Sequence, residues 1–124
     1  MIPVLIVEIM SAIVALVAAV VLFIQFIAPK LHGNSKRRPK GHTVLPLILI
    51  IAAIVHGVAA MLYGSGAPAI AYVLGWIGLL CFAASGVSML SSIRSKLKNA
   101  CARHVVLFLL GIIFIVAHAI AGRM

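Results

Sequence analysis

The chain has 124 residues, 65% of them apolar, and a mean hydropathy of +1.32. It carries ten Lys and Arg against a single acid, Glu8, for a net charge of +9. Soluble domains are about 45–50% apolar and about 25% charged, so the composition excludes an ordinary water-soluble domain. The surplus of positive charge is then a question of membrane side, not of nucleic-acid binding.

The first apolar stretch spans residues 3–28, with Glu8 and Gln25 as its strongly polar interruptions. It lacks the basic leader of a signal peptide and is far longer than an h-region. A loop over 30–41 follows, carrying Lys30, Lys36, Arg37, Arg38 and Lys40. The second stretch, 43–63, opens beside His42 and contains His56; the short turn Gly64–Pro68 after it is uncharged. The third, 67–90, has no charged residue. A second basic segment, 93–103, holds Arg94, Lys96, Lys98 and Arg103, and the fourth stretch, 104–122, opens at His104 and contains His118.

A hydrocarbon core about 30 Å thick needs about 20 residues at about 1.5 Å each, and all four stretches meet that length. Backbone groups in lipid must be satisfied within the segment, which makes the stretches helices. The expected fold is all-α: a single transmembrane four-helix domain over 1–124, running up-down-up-down. Nine of the ten basic residues fall in the two loops 30–41 and 93–103. The positive-inside rule makes both loops cytoplasmic, in the inner cell membrane, with both termini and the Gly64–Pro68 turn outside. Part of the charge then contacts lipid headgroups. Cys81 and Cys101 lie in no C-x-x-C or C-x-x-C-H motif, against a disulfide framework, a thiolate zinc site or covalently attached haem.

The histidines carry the functional signal. His42 and His56 are fourteen positions apart, and so are His104 and His118. Two heptads return a helical residue to nearly the same face, about 21 Å along the axis. In an up-down-up-down bundle the second and fourth spans run in the same direction. His42 can then meet His104 near the cytoplasmic side, and His56 can meet His118 near the outer side. Paired imidazoles from two helices are a means of holding haem iron in a bundle core. Two non-covalent bis-histidine haems b are expected, their filled axial positions suiting electron transfer. His32, in the basic loop, fits no pair.

This arrangement resembles the four-helix haem-binding unit of membrane diheme cytochromes b. In that family too, the second and fourth helices each supply two histidines with thirteen residues between them. The resemblance rests on His42, His56, His104 and His118, and the four-span layout covers the whole chain. It implies small residues that admit the porphyrin edges. The third span offers Gly75, Gly78 and Gly86, whereas the first offers Ala12, Ala15, Ala18 and Ala19. The chain lacks the additional helices and quinone-site loops of a full bc-type cytochrome b.

Other residues take supporting parts. Arg38, Lys40 and Arg103 flank the His42/His104 level and are candidates for haem propionates, which need cationic partners. Gly111, midway between His104 and His118, suits close packing between the two haem levels. Glu8 is a lone carboxylate about a turn and a half inside the outer leaflet, where a charge is costly. It is a candidate proton acceptor at an outward quinol site, or a residue that snorkels to the interface. The leading expectation is a non-catalytic electron-transfer subunit of a larger oxidoreductase. It would work between a quinone pool and a haem or iron–sulfur partner, surrounded by lipid and binding no nucleic acid. The rival is a four-span proton-coupled transporter similar to the small multidrug-resistance proteins, using Glu8; a cofactor-free membrane anchor is the third possibility.

Overall fold

The computed structural model describes residues 2–31, 42–63 and 66–123, the side chains of 29–31 excepted. Regular structure among the described residues is helical throughout: α1 (Ile2–Leu31), α2 (Val44–Tyr63), α3 (Ala69–Val87), α4 (Ser91–Arg94) and α5 (Ala100–Ala121). Four of these, all but α4, are long and apolar enough to cross a membrane. Each also exposes large apolar side chains, such as Leu16, Ile51, Leu80 and Ile113, each more than half exposed. A water-soluble chain rarely shows so much contiguous apolar surface, and in a bilayer these faces contact lipid.

The helix ends follow local backbone chemistry. Pro3 and Pro46 sit in the first turns of α1 and α2, where the missing N–H leaves no bond unmade. Pro68 caps α3 in a non-helical conformation, and its carbonyl accepts from Ala71 N–H at 2.9 Å. After Val87 the chain tightens into short turns, Met89 N–H to Gly86 O and Leu90 N–H to Val87 O, both 3.1 Å. Leu90 is extended and redirects the chain; its carbonyl then accepts the N–H groups of Ile93 and Arg94 in α4. Asn99 enters α5 in the left-handed region at φ 57°, a conformation that Asn tolerates better than most residues.

These ends differ from the limits drawn by hydropathy. The third span stops at Val87 instead of residue 90, and residues 91–94, expected as loop, form α4. The fourth long helix, α5, starts at Ala100, one turn before His104, and α2 starts at Val44, leaving His42 in a turn. His104 therefore lies inside its helix and His42 just outside its own. Hydropathy marks where lipid begins. A helix can end before or after that point wherever solvent or a cap satisfies its backbone.

The chain divides into two compact units, 1–59 and 60–124. In the first, the buried residues of α1 are Ser11, Ala18, Ala19 and Leu22, and those of α2 are Leu49, Ala52 and Ala59. Ser11, Ala18 and Leu22 on one helix, and Leu49, Ala52 and Ala59 on the other, follow the three-and-four spacing of a helix seam. The second unit is built on α3 packed against α5. Ala71, Gly78, Phe82 and Ser85 form the buried seam of α3. The contacts along the two helices run in reverse order. Ala71 meets His118, Gly78 faces Phe114 and Ile115, Phe82 lies against Gly111, and Ser85 meets His104. A Cβ on Gly111 would stand 2.7 Å from the Phe82 ring, so glycine sets how closely these helices approach. Phe82 also meets Phe108 with ring centroids 5.8 Å apart and tilted by 53°.

Candidate functional site: anchored imidazoles in the membrane helices

All four histidines of the repeated spacing are described, each partly buried. Three of them share one chemical feature. His56 Nδ1 lies 3.1 Å from the main-chain oxygen of Glu8. His104 Nδ1 lies 2.8 Å from the oxygen of Ser85, and His118 Nδ1 lies 2.6 Å from that of Ala71. A carbonyl oxygen can only accept, so each Nδ1 carries the proton and donates it. A neutral imidazole then has its lone pair on Nε2. Each bond joins two helices within one unit: α2 to α1 for His56, and α5 to α3 for His104 and His118.

This is the state in which an imidazole ligates a metal. Ligating histidines usually donate the other ring N–H to a carbonyl or carboxylate, which fixes the tautomer and aims the ring. No three His, Cys, Asp or Glu side chains cluster among the described residues. Three of the expected donors are imidazoles whose tautomer is fixed one by one by main-chain oxygens. Imidazole held in this tautomer is chemically compatible with the haem that the spacing implies.

The expected glycines divide into two kinds. The notch at Gly75 holds the His118 ring, with Nδ1 3.0 Å from where a Cβ would be. Those at Gly78 and Gly111 hold Ile115, Phe114 and Phe82. A Cβ on Gly86 would meet nothing within 4 Å. Three of the four thus serve helix contact within the second unit, and one faces open space. Arg103 is exposed and its Nε donates to the carbonyl of Lys98 at 3.0 Å. Arg38 and Lys40, the other propionate candidates, lie outside the described residues, as does His32.

Glu8 contributes its main chain to His56, while its side-chain Oε2 is buried and makes no hydrogen bond among the described residues. Cys81 and Cys101 are free thiols, the second exposed, with Arg94 Nη2 3.8 Å from its sulfur.

Sequence reasoning did not reach the serines. The Ser85 hydroxyl donates to the His104 carbonyl at 2.8 Å, and its oxygen lies 2.9 Å from His104 Nδ1. Ser88 Oγ donates to the Ser85 carbonyl at 2.7 Å. Ser11 Oγ donates to Val7 O at 2.6 Å and lies 3.0 Å from Glu8 O. Their signal was available: hydroxyls at seam positions of apolar helices usually bond to the backbone or to a neighbouring helix. No protein-family model, curated protein sequence or solved structure matches this chain.

Proposed function

We propose that the chain is a b-type diheme cytochrome of the inner cell membrane, carrying electrons between a quinone pool and a partner redox protein. The observation that supports this best is the shared tautomer of His56, His104 and His118, each held by Nδ1 on a main-chain oxygen. Haem, when bound, would supply one-electron iron chemistry, with the histidines as the residues that would hold it. His42 and His104 would ligate the cytoplasmic-side haem, and His56 and His118 the outer one.

Arg38, Lys40 and Arg103 would be the candidate partners of propionates on the cytoplasmic side. Gly86, with open space before it, is the glycine best suited to a porphyrin edge. The reading makes the chain a non-catalytic subunit of a larger oxidoreductase, with donor and acceptor on neighbouring haem or iron–sulfur subunits. The unbonded Glu8 Oε2 favours a second reading, proton-coupled transport through that carboxyl group. Transport gives the anchored imidazoles no task.

One preparation separates the two. Purified protein from haem-replete cells is expected to show reduced-minus-oxidised α and Soret bands and close to two haems b per chain by pyridine haemochrome. A colourless preparation would overturn the cytochrome reading. His56→Ala and His118→Ala should each remove the same haem, and His42→Ala and His104→Ala the other.

A further inference from the structure

The three carbonyls that receive an imidazole N–H are not equivalent. Ala71 O accepts from His118 at 2.6 Å, and the residue three positions on, Leu74, has no hydroxyl to compete. Glu8 O accepts from His56 at 3.1 Å with Ser11 Oγ 3.0 Å away, although that hydroxyl is closer to Val7 O. Ser85 O is fully shared. It accepts from His104 Nδ1 at 2.8 Å and from the Ser88 hydroxyl at 2.7 Å. The His104 N–H is in turn divided, because Ser85 Oγ is a second acceptor at 2.9 Å while spending its own hydrogen on His104 O. Ser85 and Ser88 are 3% and 4% exposed, so bulk water does not substitute for either hydroxyl.

We infer that Ser85 and Ser88 are positioning residues that set the redox balance at His104 in opposite directions. The inference deepens the haem reading and rests on it. The more strongly Nδ1–H is drawn to an acceptor, the more electron-rich Nε2 becomes and the better it stabilises oxidised iron. Ser85 Oγ adds an acceptor and pulls towards the oxidised form. Ser88 donates into the carbonyl that His104 uses, and two donors on one oxygen compete, so Ser88 pulls towards the reduced form. His118 is bonded to Ala71, fourteen positions along α3 from Ser85, and the Ser88 hydroxyl is given to Ser85 O, so its level is indifferent to both serines.

The test is an optical redox titration of the purified full-length chain, with dithionite as reductant and ferricyanide as oxidant. The His104-level haem is identified as the one lost in His104→Ala. Ser85→Ala is expected to raise its reduced-to-oxidised ratio at fixed potential about threefold, or about 28 mV at 59 mV per tenfold for one electron. Ser88→Ala is expected to lower the ratio by a similar factor, and Ser85→Thr to restore it. The haem lost in His118→Ala should not move in any of these variants. Unchanged ratios in haem-replete variants, shifts of the same sign, or equal shifts in both haems would overturn the inference. If Ser85→Ala fails to fold, the sign of the Ser88→Ala shift decides. A haem-free wild-type chain overturns the parent reading, whereas two haems with unmoved potentials overturn this one alone.

Discussion

At Gly75 a Cβ would lie 3.0 Å from Nδ1 and 3.1 Å from Cε1 of His118. The ring cannot give way without stretching its 2.6 Å bond to Ala71. Gly75→Ala is therefore expected to cost about 1–3 kcal/mol by overpacking and, on the proposed haem reading, to lower haem content. Gly86→Ala, which meets no described protein atom within 4 Å, should leave the melt unchanged and, on the proposed haem reading, lower haem content by filling the space given to a porphyrin edge. Haemochrome content and thermal melts of the two variants check the contrast. The histidine spacing was legible in the sequence because ligand identity is a side-chain property. The acceptors were not, because Ala71 and Glu8 serve through carbonyls that any residue possesses. The sequence drew attention to the Glu8 carboxylate, and the structure uses the Glu8 main chain.

The helix pair α3 and α5 approaches through Gly111, whose missing Cβ leaves room for a rigid ring 2.7 Å from where it would stand. Gly111→Ala should destabilise the pair by about 1–3 kcal/mol, and Phe82→Leu in the same chain should recover part of that loss. Unfolding of single and double variants in detergent measures the coupling. The number of long helices and their capacity to cross a membrane followed from hydropathy, since lipid demands both, whereas their ends did not. The short α4 was not legible. Four residues beginning Ser91-Ser92 carry no apolar period, and the extended Leu90 that starts the helix is a backbone state that hydropathy does not record. The entry to α5 was hidden for the same reason, in the left-handed conformation of Asn99.

Over the whole chain, the placement of charge is the strongest statement about how it lies in a bilayer, and native thiols give a direct test. Cys101 is exposed at the first turn of α5, in the second basic segment, and Cys81 lies within α3. With the basic segments cytoplasmic, a membrane-impermeant maleimide should label Cys101 in inside-out vesicles and leave it unlabelled in intact spheroplasts. Labelling from the outside would reverse the proposed orientation.

The reversed order of contacts along α3 and α5 has a mechanical consequence. His104 and His118 are pinned to carbonyls near opposite ends of α3, at Ser85 and Ala71. Sliding α5 by one residue would carry both N–H groups about 1.5 Å from their acceptors at once. The Phe82 ring seated at Gly111, one heptad from each histidine, blocks the same movement at the centre. The hairpin is thus riveted at three levels, and its two outer rivets are imidazoles.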